Sequence, residues 1–417
     1  MKNNSERFNM NRKPNKPPLY LRAVEFLIGP IYTYFNHGHI KTDPEVKRLK
    51  GPFLVLGSHA SFMDFAQIAT GLGGRANGWV VSIDEVRRGD WLMYGIGGIP
   101  KRKFTHGLST AKHILKYLKE YQLPVVLFPE ARFSLAGVNE RLDEALGKLC
   151  KHANVPVVSF QSNGNYINSP QWGKRPYRKI RQEGRLSLLC SAEDVEKLSA
   201  EEIQERIEKE FVRDEYKWQV DHDLHIKCKK RAEGIHRILY KCPACNTEFE
   251  TCSEGTKLWC EACGAKWEMD TLSRLHGVNT QAGFSHVPDW YNWEREEVRK
   301  EVQAGTYRFE DDVRVEDYYN SKTGFIPVGT AHVVHDENGF TFRGTVDGKP
   351  FELNKPVSSM YSCHIEYDFL KRGDAFDIAT DLTTYFMYPQ TAKNCLTKIH
   401  FATEELYDHY VRNKKEN

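Results

Sequence analysis

Long apolar runs are missing from this 417-residue chain. No segment has the length of about 20 residues and the apolarity that a membrane-spanning helix needs. A secretory signal is also missing, because the basic start is followed by Pro-rich sequence rather than by a compact apolar core and a small-residue cleavage site. Without such a signal we expect a cytoplasmic protein, and its ten cysteines are therefore not expected to form structural disulfides.

A strong charge imbalance is missing as well, since the formal net charge is only +3. Positive charge is instead concentrated in residues 1–16, which we expect to be a disordered tail, and in residues 174–185. Both segments are candidates for contact with anionic lipid headgroups, with a solvated surface as the alternative. The length predicts about two to three domains, and a charged content of 28% is typical of a globular chain.

One pair of side chains can activate a hydroxyl group. His59 and Asp64 are five positions apart and follow the apolar run 52–56. A neutral imidazole can take a proton from an alcohol if a carboxylate holds its other nitrogen. Because side chains five positions apart on one helix point about 140° apart, we expect His59 on a strand-to-helix loop and Asp64 in the first helical turn. The alternative is that Asp64 only caps a helix that opens at Ser61.

Three later segments each resemble a strand that ends in a turn with charge or proline. They comprise residues 97–102, 125–134 and 155–159. In an open α/β sheet such turns meet at the carboxyl ends of the strands, where ligands bind, so we expect Arg102, Glu130 and Arg132 beside His59. Two guanidinium groups near a base suggest a phosphate pocket. A surface ion pair between Glu130 and Arg132 is the alternative.

Taken in this order, the four segments resemble the glycerolipid acyltransferase family, whose best-known member is 1-acyl-sn-glycerol-3-phosphate (lysophosphatidic acid) acyltransferase. The resemblance covers roughly residues 20–215. It implies an α/β acyltransferase domain in which His59 is the general base and Asp64 orients it. It also implies that Arg102 binds the acceptor's phosphate, with Glu130 and Arg132 in the adjoining substrate-binding block.

The chain departs from the family pattern at residues 130–133, which read Glu-Ala-Arg-Phe where Glu-Gly-Thr-Arg is common. The arginine therefore stands one position early. Ser159 also replaces a proline that is usual in the fourth block. These differences make the resemblance more informative about the reaction than about the acceptor.

The resemblance implies acyl transfer from acyl-CoA or acyl-carrier protein to the free hydroxyl of a lysophospholipid. The first expectation for this acceptor is 1-acyl-sn-glycerol-3-phosphate, which would give phosphatidic acid, and the alternatives are glycerol 3-phosphate or an aminolipid. Backbone N–H groups at the start of the helix after His59 are candidate donors to the oxyanion. A lipid-binding regulatory or scaffold protein without turnover is the alternative from another functional class.

Residues 19–35 are rich in Leu, Ile and aromatics, are interrupted by Arg22 and Glu25, and are broken by Gly29-Pro30. This pattern is typical of a helix that lies in the membrane interface. A first helix that packs on its own domain is the alternative. We therefore predict a cytoplasmic protein that is peripheral on the inner face of the membrane and contacts anionic lipid.

Two C-x-x-C pairs form a second motif, Cys242 with Cys245 and, fourteen residues later, Cys260 with Cys263. The spacing is close to that of structural zinc sites, in which four thiolates surround the ion tetrahedrally. We predict a zinc ribbon with one structural zinc ion, and disulfides or redox dithiols are the alternative. Four thiolates leave no open coordination position, and we expect neither a catalytic metal nor a nucleic-acid partner.

From about residue 310 the pattern changes to short strands. Asn338-Gly339 and Asp347-Gly348 are hairpin signals between strand-like runs, and a helix is predicted around 396–411. This order resembles a pleckstrin-homology-like module, which could bind lipid or protein. The predicted division of the chain is 1–36 basic tail and amphipathic membrane-docking helix, 37–220 acyltransferase domain, 221–239 basic connector, 240–270 zinc ribbon, and 271–417 β-rich domain with a C-terminal helix.

Overall fold

The computed structural model describes residues 8–85, 90–105, 107–173, 178–320 and 322–416. Residues 1–7 of the basic tail and residues 174–177 of the second basic segment lie outside the described residues. Among the helices described, none is long and apolar enough to cross a bilayer.

The N-terminal half is built on a seven-stranded mixed sheet. Its strands are β1 (Gly38–Thr42), β2 (Leu54–Gly57), β3 (Gly78–Ser82), β4 (Gly98–Lys101), β5 (Val125–Leu127), β6 (Val157–Asn163) and β7 (Gln182–Cys190). They lie in the order β1-β7-β6-β2-β5-β3-β4, and every neighbouring pair is parallel except β6 and β7. Strands β2 and β5 are buried throughout, which explains why they read as continuous apolar runs. The predicted α/β architecture is confirmed.

Ten helices accompany this sheet in the described residues. They are α1 (Leu19–Phe35), α2 (Pro44–Arg48), α3 (Met63–Gly71), α4 (Asp90–Gly95), α5 (Leu108–Lys119), α6 (Leu146–Ala153), α7 (Asn165–Asn168), α8 (Ala192–Lys197), α9 (Ala200–Glu210) and α10 (Glu215–Asp221). Helix α9 begins with a capping box, as the Ser-x-x-Glu pattern at 199–202 predicts, and Ser199 and Glu202 each accept the other's backbone N–H. The spacing of apolar residues predicts a helix over residues 140–153, but helix α6 begins only at Leu146.

The cysteine-rich part is a small antiparallel sheet. Its strands β8 (Thr251–Glu254), β9 (Lys257–Cys260), β10 (Lys266–Met269) and β11 (Leu275–Gly277) lie in the order β11-β10-β9-β8. Residues 221–239, predicted as a connector, pack against this sheet rather than run through solvent. Ile226, Ile235 and Leu239 of that segment are fully buried.

A long helix, α11 (Val287–Gln303), leads into a second seven-stranded sheet, which is antiparallel throughout. Its strands are β12 (Phe309–Asn320), β13 (Gly324–Asp336), β14 (Gly339–Val346), β15 (Lys349–Pro356), β16 (His364–Glu366), β17 (Ala375–Ala379) and β18 (Thr384–Pro389), and helix α12 (Leu396–Glu416) follows. Both predicted hairpins are present, β13–β14 and β14–β15. Gly339 adopts a φ of 96° at the first turn, a conformation that glycine accepts without strain.

One hydrophobic core joins all three parts. A single cluster of buried residues runs from Tyr166 and Trp172 of the N-terminal half through Trp267 of the small sheet to Phe376 and Phe401 of the C-terminal half. The β-rich half is therefore packed onto the α/β half, and side chains from both can meet at one site.

The N-terminal tail is ordered from residue 8, which contradicts the predicted disorder for that part. Tyr117 of α5 and Tyr121, which follows the end of that helix, donate hydroxyl hydrogen bonds to the backbone carbonyls of Asn15 and Pro14, respectively. Phe8 is buried in a cluster with residues of the C-terminal sheet. The tail thus runs from the second sheet across α5 to α1.

Candidate active site

The structure places His59 in the loop after β2 and Asp64 in the first turn of α3, as the spacing predicts. The His59 Nδ1 atom lies 3.2 Å from Asp64 Oδ2. That same oxygen accepts hydrogen bonds from the backbone N–H groups of Ala60 at 2.6 Å and Ser61 at 2.9 Å. Asp64 therefore holds the backbone of the loop before α3 and contacts the imidazole at the same time, while the helix itself begins without a side-chain cap at Phe62.

The second oxygen of Asp64 is held just as firmly. Its Oδ1 accepts hydrogen bonds from Ser162 Oγ at 3.1 Å and from Asn165 Nδ2 at 2.6 Å. The carboxylate is fully buried, so these protein donors replace water around it. Because every neighbour of this carboxylate donates, His59 Nδ1 must donate as well, and His59 Nε2 is left with the lone pair that a general base needs.

Aromatic rings fix the plane of the imidazole. The Phe128 ring stacks on His59 with centroids 4.0 Å apart, and Phe133 and Phe65 approach it at 4.3 and 5.5 Å. The His59 side chain is only 12% exposed. A ring held this tightly keeps its Nε2 pointing in one direction, which positions it for proton transfer.

Glu130 lies beside His59, as the order of the segments predicts, but it contacts the backbone rather than the imidazole. Its Oε2 accepts the His59 backbone N–H at 3.0 Å and a hydrogen bond from Arg213 at 2.9 Å. Burial raises the pKa of Glu130, and the Arg213 guanidinium opposes that shift. This geometry makes Glu130 a residue that positions the His59 loop, and the sequence pattern did not indicate its partner Arg213.

The two predicted phosphate-binding arginines point their guanidinium groups at protein carbonyls and carboxylates. Arg102 donates to the backbone carbonyls of Asp381 and Leu382 at 3.1 and 2.8 Å. Arg132 borders the cavity beside His59, but its guanidinium is buried and donates to Glu140 at 3.0 Å and to Glu404 at 2.9 Å. The structure brings Arg132 near His59 without presenting its charged group to a substrate.

Two lysines that the sequence analysis did not select line the cavity instead. Lys101 and Lys103, on either side of Arg102 in the sequence, both border the cavity that contains His59. The Lys103 ammonium contacts Asp84 at 2.9 Å and His364 Nε2 at 3.1 Å. Burial lowers the pKa of Lys101.

The cavity in front of His59 has a volume of about 270 Å³ and a mainly apolar wall. Its apolar lining consists of Phe62, Phe65, Val80, Val81, Leu127, Phe128, Ala131 and Phe133. A second cavity of about 580 Å³ adjoins it, and Phe62, Phe133 and Glu366 border both. His364 and Glu366 come from β16 of the C-terminal sheet, so this wall of the site could not be foreseen from local sequence.

The predicted oxyanion donors are engaged elsewhere. The backbone N–H groups of Ala60 and Ser61 donate to Asp64, and that of Met63 donates to Ser61 Oγ at 3.2 Å. These three groups are therefore not directed at a substrate, because the carboxylate and hydroxyl that shape the loop already use them.

Four cysteines converge in the small sheet. The Sγ atoms of Cys242, Cys245, Cys260 and Cys263 all lie within 4.8 Å of one another, and two of the Sγ–Sγ separations, Cys242–Cys263 and Cys245–Cys260, are 3.8 Å. Disulfide sulfurs would lie about 2.05 Å apart, whereas a tetrahedron of thiolates with bonds of about 2.3 Å to zinc has edges of about 3.8 Å. The four thiols are close enough to bind one metal ion.

Neither a protein-family model nor a curated protein matches this sequence. Among solved structures, the chain is distantly similar to the crystal structure of the 1-acyl-sn-glycerophosphate (LPA) acyltransferase PlsC from Thermotoga maritima. The alignment covers 46% of this chain and 77% of that chain, with 16% sequence identity and a TM-score of 0.38. A TM-score this low assigns neither a family nor a function to the chain.

Proposed function

We propose that the protein is an O-acyltransferase that moves a fatty acyl group from acyl-CoA or acyl-carrier protein to the free hydroxyl of a lysophospholipid. The observation that carries this proposal is the contact of His59 with Asp64 at the edge of an apolar cavity. Imidazole oriented by a buried carboxylate is suited to removing a hydroxyl proton. The acceptor that the family resemblance implies is 1-acyl-sn-glycerol-3-phosphate, whose acylation would give phosphatidic acid.

The reaction needs one proton transfer in each direction. The acceptor hydroxyl gives its proton to His59 Nε2 while its oxygen attacks the thioester carbonyl carbon, and Asp64 stabilises the imidazolium that forms. When the tetrahedral intermediate collapses, the C–S bond breaks and the imidazolium returns the proton to the leaving thiolate. No covalent enzyme intermediate is required.

The two cavities suit the two parts of such a reaction. The smaller, apolar one fits the acyl chain next to the thioester, because its wall is formed mainly by aromatic and aliphatic side chains. The larger one contains amide and hydroxyl side chains and fits a polar headgroup. In this arrangement Lys101 and Lys103 are the positively charged groups that can stabilise the developing oxyanion.

Helix α1 supplies a surface for membrane contact. Leu27, Ile28, Ile31 and Phe35 are between 55 and 75% exposed, and the Tyr32 ring of the same helix meets Phe62 edge to face. Phe62 is itself exposed and borders both cavities. We propose that this apolar surface lies in the membrane interface, so that a lysolipid can enter the site from the bilayer.

The metal of the four-cysteine group is, in this proposal, a structural zinc ion. Four thiolates without an open ligand position are typical of structural rather than catalytic zinc. The small sheet that holds the four cysteines belongs to the core shared by both halves. Loss of the metal ion would therefore weaken the packing around the active site.

The test is an acyl-transfer assay that follows thiol release from an acyl-thioester in the presence of a lysophospholipid. His59→Ala should abolish transfer and leave lysolipid binding largely intact. The matched control is His332→Ala, which removes a half-exposed histidine from the C-terminal sheet and should retain activity. Full activity of His59→Ala would exclude the proposed chemistry, and binding without thiol release by the wild type would favour a lipid-binding protein.

A further inference from the structure

Three consecutive residues at the start of α10 support the His59–Asp64 pair from two sides. Arg213 and Asp214 lie between α9 and α10, and Glu215 is the first residue of α10. The Arg213 side chain is only 5% exposed, and Glu215 is fully buried. The sequence analysis selected none of the three, because the motif that they support lies far upstream in the chain.

Arg213 acts on the His59 side of the pair. Its Nη2 donates to Glu130 Oε2 at 2.9 Å, and the same oxygen accepts the His59 backbone N–H at 3.0 Å. Burial opposes the charged form of Arg213, but the carboxyl groups of Glu130, Glu215 and Asp64 favour it, and its pKa is raised. The guanidinium thus keeps its positive charge among buried carboxyl groups, and it keeps Glu130 ionised as the acceptor that holds the His59 loop.

Glu215 acts on the Asp64 side of the pair. Its carboxyl group accepts the Gly164 backbone N–H at 2.5 Å. The next residue, Asn165, donates through Nδ2 to Asp64 Oδ1 at 2.6 Å. Gly164 has a φ of 80°, and a Cβ there would lie 2.2 Å from the Arg181 carbonyl oxygen. The turn that directs Asn165 at the carboxylate therefore needs a glycine, and Glu215 fixes that glycine by its N–H.

The segment that carries these two side chains is itself anchored. Asp214 caps α10 by accepting the Lys217 backbone N–H at 2.8 Å, and its other oxygen lies 2.8 Å from His286 Nε2 at the start of α11. The Glu215 backbone N–H donates to the Gly137 carbonyl at 2.8 Å. Both flanking side chains are thus presented to the site from a backbone that is fixed on either side.

We propose that Arg213 and Glu215 are positioning residues of the active site. Arg213 orients His59 through Glu130. Glu215 orients Asp64 through the turn before α7. This inference rests on the proposed acyl transfer and deepens it, because it names what sets the geometry of the base. A displacement of about 1 Å can cost about 10²-fold in rate, so loss of either support should lower kcat.

Steady-state thiol release by full-length variants is the first test of Arg213. Arg213→Met should lower kcat by about 10- to 100-fold. The KM values should stay nearly unchanged, because Arg213 lines neither cavity in front of His59. Arg206→Met is the matched control, since it removes an exposed arginine from α9, and it should keep the wild-type kcat.

A pair of substitutions tests Glu215 in the same assay. Burial raises the pKa of Glu215 to about 8, so glutamine resembles its neutral form and still offers an oxygen to the Gly164 N–H. Glu215→Gln should therefore retain most of kcat, whereas Glu215→Ala should lose about 10- to 100-fold. Asp221→Ala, which removes an exposed carboxylate from the other end of α10, should behave like the wild type.

The pH profile separates positioning by Arg213 from a general loss of structure. Burial raises the pKa of Glu130, Arg213 lowers it and the nearby Glu140 raises it. Without the guanidinium that pKa rises further, and Glu130 is protonated at a pH where the wild type keeps it ionised. The kcat of Arg213→Met relative to wild type should therefore recover as the pH rises, whereas the same ratio for Glu130→Gln should stay constant. The double variant should lose no more than the more damaging single variant.

A nuclear magnetic resonance signal reports the position of His59 without turnover. The protein is labelled with ¹³C in its histidine rings, and the His59 signal is assigned by its absence in His59→Ala. Arg213→Met and Glu215→Ala should shift or broaden this signal, and Arg206→Met should leave it unchanged. Denaturant unfolding confirms that each variant is folded. If Arg213→Met does not fold, Arg213→Lys replaces it, and its smaller loss of kcat should disappear when Glu130→Gln is also present.

An unchanged His59 signal in the folded variants, or a kcat close to wild type, would overturn the inference and leave the acyl transfer standing. A loss confined to KM would overturn it as well. If the wild type released no thiol but the His59 signal responded to both variants, the positioning would stand and the proposed reaction would fall.

Discussion

Replacing Asp64 by asparagine tests whether the buried carboxylate does more than shape the loop. Oδ2 of Asp64 accepts from three groups, His59 Nδ1 and two backbone N–H groups, and Oδ1 accepts from Ser162 and Asn165. An asparagine keeps its oxygen toward the three donors and turns its NH₂ group toward Ser162, whose hydroxyl can rotate to accept. The tautomer of His59 is thereby preserved, and the negative charge that stabilises the imidazolium is lost.

The size of the effect follows from the 3.2 Å contact between His59 Nδ1 and Asp64 Oδ2. At an effective dielectric constant of about 20, unit charges at this separation attract by about 5 kcal/mol. At about 1.4 kcal/mol per factor of ten, this sets an upper limit of about four powers of ten on the loss of kcat. The new contact between the asparagine NH₂ and Asn165 Nδ2 adds a cost in stability, which denaturant unfolding of the same variant measures.

The assay is thiol release at saturating lysolipid, with binding of the lysolipid measured separately. We expect kcat of Asp64→Asn to fall by about 10² to 10⁴, with the dissociation constant of the acceptor nearly unchanged. A folded variant that loses less than a factor of ten would refute the assignment of Asp64 as the stabilising partner and would leave it only the role of holding the loop backbone at Ala60 and Ser61.

Four further outcomes are expected. Metal analysis of the purified protein should find about one zinc per chain. The Cys260→Ser variant should lose this metal, whereas the control Cys252→Ser, which lies between the two cysteine pairs, should keep it. Glu404→Gln should lower the free energy of unfolding by about 3 kcal/mol or more, because it removes the charge that a buried guanidinium contacts at 2.9 Å. Burial raises the pKa of Glu215 to about 8, so between about pH 5 and 8 the folded state holds a proton that the unfolded chain releases. The free energy of unfolding should therefore fall as the pH rises through this range. Glu215→Gln should reduce this pH dependence in thermal melts. Ile31→Glu should reduce cosedimentation with anionic liposomes, and an unchanged bound fraction would contradict the membrane surface on α1.

Sequence patterns were informative where the determining contacts are local. The strand-loop-helix geometry of His59 and Asp64 follows from a spacing of five residues, and the Asn338-Gly339 hairpin follows from the backbone that glycine permits. The two C-x-x-C pairs likewise predicted which thiols converge. In each of these cases a few neighbouring residues decide the outcome.

Patterns were uninformative where distant segments meet. Arg132 was expected to bind a ligand, but Glu404, 272 positions further along the chain, holds its guanidinium. Arg102 reaches carbonyls 279 and 280 positions away. No local periodicity encodes which surface of the C-terminal sheet covers the site, so His364 and Glu366 could be found only from the fold.

The shared hydrophobic cluster also limits which fragments of this protein can fold by themselves. A fragment ending near residue 220 would expose Tyr166 and Trp172, which are now fully buried against the rest of the chain. Such a fragment should aggregate on expression, and the intact chain should melt in a single calorimetric transition instead of two. A gene that encodes only the first half would then yield inclusion bodies. If the first half were an independent catalytic domain, the same gene would yield soluble enzyme.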